Sequence, residues 1–97
     1  MPRSSVPVAL ILALTAMPAL ATGIDADRLY LVRCAVCHGA ERLGGTGPAL
    51  LPDNLGRLRP AKAAATITAG VPQTQMPAFA ETLGEAEIAA LVELIYT

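Results

Sequence analysis

The sequence predicts a small all-α domain, and three features predict it. Apolar residues recur at helical spacing in three stretches, Gly- and Pro-rich connections separate those stretches, and no segment shows the period-two alternation of a strand. Internal repeats and blocks of like charge are absent from the sequence.

The chain of 97 residues opens on Met1-Pro2-Arg3, continues with an apolar run from Val6 to Ala16, and then reads Met17-Pro18-Ala19-Leu20-Ala21. One basic residue, a short apolar core and a small-x-small ending predict a secretory signal peptide over residues 1–21, with the domain in 22–97. The rival reading is a membrane span. The run is shorter than the roughly 20 residues a span needs, and Pro7 and Pro18 bound it. Export implies a periplasmic location, with no stable membrane association once the signal is cleaved. It also means that a removed segment inflates the hydrophobic fraction of 54%. Loss of Arg3 leaves Arg28, Arg33, Arg42, Arg57, Arg59 and Lys62 against 8 acidic residues. That mildly acidic balance provides no basic stripe and excludes nucleic-acid binding.

The first helix is expected from Ala26 to about Val36. Asp25 can accept a hydrogen bond from a free amide at its start, and Ala26, Leu29, Tyr30 and Arg33 follow at helical spacing. It should end as it reaches Cys37, His38 and Gly39. A long irregular segment from about Gly39 to Arg59 follows, interrupted by Gly44, Gly45, Gly47, Pro48, Pro52 and Gly56. A loop this long in so small a domain normally has a function.

The middle helix is expected from Pro60, whose fixed φ and missing N–H suit a first position, to Ala69, with Gly70 ending it. Its alanines make it slim. The last helix is expected from Glu85 to Tyr96, with Gly84 as cap, Glu87 completing a capping box, and Leu83 and Ile88 as a hydrophobic staple. Ile88, Leu91, Val92, Ile95 and Tyr96 form one apolar stripe, and the first helix is its natural partner.

Residues 22–97 hold only three aromatic side chains, Tyr30, Phe79 and Tyr96. A domain of this size buries a marginal core at best, so its core volume must come from elsewhere. A buried macrocycle would fill that gap.

Cys34-Ala35-Val36-Cys37-His38 matches the C-x-x-C-H haem attachment signal. Two thiols three positions apart at a helix end lie on neighbouring faces, so each can reach one vinyl group of the same porphyrin, and the adjacent imidazole projects toward the iron. Three other readings compete. A disulfide here would close a very small loop and stabilise little. A thioredoxin-like pair expects a βαβ context, which this strand-poor chain lacks. A zinc site would have Cys34, Cys37 and His38 but no second Cys/His cluster to complete a tetrahedron.

A six-coordinate iron needs a second axial ligand. His38 is the only histidine; outside the signal, Met76 is the only methionine and Lys62 the only lysine. Met76 leads, because Gly70-Val71-Pro72-Gln73-Thr74-Gln75-Met76-Pro77-Ala78-Phe79 reads as a stiff loop able to hold a thioether over a haem. The rival is a gap-filling core methionine. A Met/His pair raises the potential and suits an electron carrier.

With these residues in view, residues 22–97 resemble a class I cytochrome c over essentially their whole length. The resemblance implies about three helices and long loops wrapped around one covalent haem c. It also implies that the ligand histidine bonds through its other ring nitrogen to a proline carbonyl, which Gly47-Pro48-Ala49-Leu50 would supply through Pro48. Leu50 would pack against the ring and complete the haem environment. The family crosses its first and last helices at a small residue against an aromatic one; here Ala26 and Leu94 occupy those places, so the crossing must be repacked, with Tyr30 the candidate.

A narrower resemblance rests on Gly39 to Pro52, on Leu55 to Arg59 and on Thr74-Gln75-Met76-Pro77. These segments resemble the c-haem domains associated with haem d1 nitrite reductases, both free-standing electron-donor cytochromes and the N-terminal domain of the dihydro-haem d1 dehydrogenase. The implied function is a periplasmic one-electron carrier in denitrification. Its implied partners are redox proteins, among them a haem d1 nitrite reductase, together with the cytochrome c maturation machinery. One alternative is the electron-transfer module of a larger haem enzyme whose catalytic domain would follow Thr97. Another is a sensor or peroxidatic cytochrome with an open iron site. No general base, nucleophile or substrate pocket is legible besides the haem, so the chain itself reads as an electron-transfer protein and not an enzyme.

Overall fold

The computed structural model describes Ser4 and residues 23–97, and the expected signal segment 1–21 lies almost wholly outside the described residues. Among the described residues the regular structure is entirely helical, with α1 at Ala26–Arg33, α2 at Ala35–His38, α3 at Pro52–Leu55, α4 at Pro60–Ala69 and α5 at Glu85–Ile95. The all-α fold expected from the sequence is therefore observed, with two one-turn helices added to the three long ones.

The first expected helix is divided at Cys34. Its φ of −116° departs from helical values, although its amide still bonds the Tyr30 carbonyl at 2.8 Å. The Cys34 carbonyl then accepts from both Cys37 N (3.2 Å) and His38 N (3.0 Å). The helix bends at the first cysteine and re-forms as one turn that carries the second cysteine and the histidine. At its start, Asp25 accepts from the Arg28 amide at 3.1 Å, the cap expected from its side chain.

The segment expected to be irregular contains α3, opened by Pro52 at its first position. Its Leu55 is buried. The Pro60 and Gly70 boundaries of α4 fall where the sequence places them, and Ala63 is buried on its inner face. Thr66 and Thr68 return their hydroxyl protons to the carbonyls four residues earlier, at 2.9 and 2.7 Å, so neither needs an outside partner.

At the start of α5 the Gly84 amide donates to Glu87 Oε1 at 2.8 Å. Glycine has no side chain to return the bond, so only half of a capping box forms. Leu83 and Ile88 are both buried, as a staple requires. The α5 stripe packs against α1 and α4. Tyr30, Phe79, Leu83, Ile88, Leu91 and Ile95 are among the residues of one core cluster, in which Leu91 is 1% and Tyr30 3% exposed. Tyr30, the candidate for repacking the contact between first and last helices, is buried in the same cluster as the α5 residues, with Leu94 packed against that cluster.

Candidate haem site

Beside this core lies an open chamber of about 370 Å³, in the size range of small-molecule and cofactor sites. Its walls are apolar, with Leu50, Leu55, Leu58, Ile67, Phe79 and Leu91 among them. Cys34, Cys37, His38, Pro48 and Met76 line the same chamber. The structure therefore brings together all six residues singled out from the sequence. Lys62 is exposed and does not line the chamber.

His38 is 8% exposed, and its Nδ1 lies 2.7 Å from the Pro48 carbonyl oxygen. A carbonyl can only accept, so Nδ1 carries the proton and Nε2 keeps its lone pair for a metal. The loop reaches this position by folding back along the Cys37–His38 backbone. Gly47 N donates to the Cys37 carbonyl and Gly44 N to the His38 carbonyl, both at 2.8 Å. A β-carbon at Gly45 would stand 2.9 Å from the Cys37 carbonyl oxygen, closer than such contacts allow. The glycines let the loop lie flat against the attachment motif.

The methionine arm has its own bracing. Thr74 donates its hydroxyl to the Val71 carbonyl at 2.8 Å and accepts from the Met76 amide at 3.2 Å, while Val71 N bonds the Met76 carbonyl at 3.1 Å. The chain beyond Met76 returns to the end of α4 through Phe79 N to the Ile67 carbonyl, 3.0 Å. Gly70, at φ +70°, makes the turn between them. The sequence assigns Gly70 only the end of α4 and assigns Thr74 no role; the Thr-x-Met spacing, which suits a hydroxyl-closed turn, is the signal for Thr74.

No disulfide joins Cys34 and Cys37, and burial pushes the Cys34 thiol above its ordinary value. That is the reverse of the lowered pKa that activates a redox cysteine. Among the described residues no group of three or more His, Cys, Asp or Glu side chains is placed to hold a metal ion, so the zinc reading has no donor set. An apolar chamber with one imidazole, one thioether and two protonatable thiols on its walls fits a porphyrin.

The family described as cytochrome C oxidase, cbb3-type, subunit III matches residues 21–95. The chain belongs to the class I c-type cytochromes. Membership implies a haem c cofactor, and the chamber is where this cytochrome can hold it. The chain is 51% identical over 70 residues to the dihydro-heme d1 dehydrogenase of Pseudomonas aeruginosa, a match covering 72% of this chain and 14% of that protein. It is 42% identical over 82 residues to cytochrome c55X of Stutzerimonas stutzeri, covering 84% of this chain and 73% of the relative. Among solved structures it resembles the c-type cytochrome NirC, with a TM-score of 0.68 and 37% identity over 73% of this chain and 84% of that one. This cytochrome thus spans only a small part of the dehydrogenase but most of the small cytochromes. Among the described residues, no helix is long and apolar enough to cross a membrane.

Proposed function

We propose that this cytochrome is a periplasmic mono-haem electron carrier. In this reading Cys34 and Cys37 attach the haem through thioethers, His38 and Met76 ligate its iron, and Pro48 and Leu50 shape its surroundings. Bound there, the haem supplies a reversible one-electron iron couple. Residues 1–21 act as the export signal, and the cytochrome c maturation machinery joins haem to the domain 22–97 after export.

The observation that carries the reading is the Nδ1 hydrogen bond from His38 to the Pro48 carbonyl, 2.7 Å long, at the wall of the chamber that Cys34, Cys37 and Met76 also line. The bond orients the imidazole and leaves Nε2 as a σ-donor. The apolar wall excludes water, and Met76 offers a neutral sulfur donor, which favours the reduced iron. With both axial positions taken, the chain carries an electron and performs no bond chemistry, so no catalytic residue is assigned.

The likeness to cytochrome c55X and to part of the dihydro-heme d1 dehydrogenase supports a place in electron transfer with a haem d1 nitrite reductase or another redox partner of denitrification. A second reading, an electron-transfer module of a larger haem enzyme, is favoured by the 51% identity to a segment that makes up 14% of the dehydrogenase. Reading the gene beyond the Thr97 codon separates the two.

The test is to mature the protein with haem in a periplasm, then record its denatured mass, its N-terminal sequence and its oxidised and reduced spectra. One haem of added mass, a start after Ala21 and a sulfur-to-iron charge-transfer band are expected. A high-spin spectrum with ready carbon monoxide binding would overturn Met76 ligation and turn the reading to sensing or catalysis.

A further inference from the structure

We propose that Arg42 is a positioning residue whose guanidinium, anchored on the Leu94 carbonyl, holds the loop that sets the Pro48–His38 hydrogen bond and thereby the basicity of the iron-ligating imidazole. The inference rests on His38 being an axial ligand, as proposed above.

Arg42 lies midway along the loop between the attachment motif and α3. Its backbone has φ 65°, the left-handed region that an arginine enters only at a cost. Something must hold it there, and three hydrogen bonds do. Its amide donates to the Gly39 carbonyl at 3.1 Å, and its carbonyl accepts from the Leu50 amide at 2.9 Å. Its Nη1 donates to the Leu94 carbonyl at 2.8 Å, across 52 positions of sequence.

The Leu94 carbonyl belongs to the last turn of α5, at the negative end of the helix dipole, and accepts from Arg42 alongside the Thr97 amide at 3.2 Å. A guanidinium is suited to that place because its charge cannot be titrated away and it presents several donors in a fixed plane. The side chain is half-buried, so the bond is not merely a solvated surface contact.

The two backbone bonds carry that anchoring to the site. Gly39 directly follows the ligand His38, and its carbonyl also accepts from the Tyr30 hydroxyl at 2.8 Å. Leu50 lies two residues beyond Pro48, whose carbonyl takes the His38 Nδ1 proton. Arg42 therefore clamps both ends of the hairpin that closes on the imidazole, and α5 is the fixed point. Loss of the guanidinium removes the anchor on α5 and lets the loop move away from the ring, lengthening the bond from Nδ1. An imidazole whose Nδ1 proton is held less firmly is the poorer σ-donor, which disfavours the oxidised iron.

The experiment uses haem-loaded protein carrying Arg42→Ala, Arg42→Gly, Arg42→Lys or Glu87→Ala. Glu87 caps the opposite end of α5 and touches neither the loop nor the chamber, so it reports a general loss of stability. Solvent exchange of the His38 Nδ1 proton is followed by NMR in the reduced state, beside the midpoint potential and the thermal midpoint. Arg42→Ala and Arg42→Gly should speed exchange about fivefold or more, the factor expected for one net hydrogen bond, and raise the potential. Arg42→Gly tolerates the left-handed backbone and keeps the protein folded while deleting the guanidinium. Arg42→Lys, which keeps a cation able to reach Leu94, should lie close to wild type. Wild-type exchange and potential in Arg42→Gly would overturn the proposal, as would equal changes in Glu87→Ala. A wild-type spectrum lacking histidine ligation would instead defeat the reading of the site itself.

Discussion

Gly47 lies flat against the His38 ring: a β-carbon on Gly47 would stand 2.9 Å from Cε1 and 3.0 Å from Nδ1 of the imidazole. The ring cannot swing away, because it is buried and its Nδ1 is bonded to Pro48, the next residue of the same loop. One position thus has to be glycine for reasons of space, although its own φ is not in the left-handed region.

Gly47→Ala should therefore destabilise the haem-loaded protein by about 1–3 kcal/mol, the usual cost of overpacking a tight contact. Denaturant unfolding measures this, and a change within about 0.5 kcal/mol would show that the loop can yield at little cost.

Gly70 presents a harsher case at the other arm of the site. A β-carbon there would meet Ala78 N at 2.7 Å, Pro77 C at 2.8 Å and Met76 O at 2.9 Å, all of them backbone atoms, and φ is +70°. Gly70→Ala should cost at least about 2 kcal/mol, strain and overpacking together, and should weaken the sulfur-to-iron charge-transfer band by displacing Met76. An unchanged band at reduced stability would separate the turn from ligation.

Met76→Ala should keep the covalent haem, lose the low-spin His/Met signature, bind carbon monoxide and lower the midpoint potential, since the thioether that favours reduced iron is gone. Spectroelectrochemistry reads all of this except the attachment, which the denatured mass reports. Persistence of the charge-transfer band would remove Met76 as ligand.

Cys34→Ala and Cys37→Ala should each leave one thioether at most, with matured yield falling sharply. Haem extraction into acidified organic solvent checks the doubly substituted chain, which should release its haem while wild type retains it. Without haem the domain should be largely unfolded, because the chamber would lack its filler and binding energy no longer adds to folding.

Tyr30 gives a pH dependence. Burial pushes its hydroxyl above the ordinary value of 10.0, a thiolate at Cys34 would push it further, and Arg42 opposes both. With Cys34 held as a thioether, burial remains. The folded state then holds the phenolic proton more tightly than the unfolded chain, so this stabilisation is complete below pH 10 and is lost as pH rises through the raised value. Tyr30→Phe should flatten the fall in stability above about pH 10. It should also cost about 1 kcal/mol at neutral pH by removing the hydrogen bond to the Gly39 carbonyl. Equal alkaline slopes in the two proteins would assign the loss to other groups.

The sequence by itself determined the all-α class, the span of α4, the start of α5 and the family. Pro60, Gly70 and Gly84 act on their own neighbours, and the stripe from Ile88 to Ile95 follows from the helical period, so short-range rules suffice there. The Cys34, Cys37 and His38 spacing is likewise local. The break at Cys34 and the single turn Pro52–Leu55 were not legible, because both arise where the chain bends around a chamber that no local pattern describes. Contacts made across the fold were decided only by tertiary structure. Neither Gly47 against the His38 ring, nor Gly70 under the Met76 backbone, nor Arg42 on the Leu94 carbonyl has a counterpart in residue spacing. Packing density sets such relationships, since a side chain's freedom depends on what occupies the neighbouring space and not on its position along the chain.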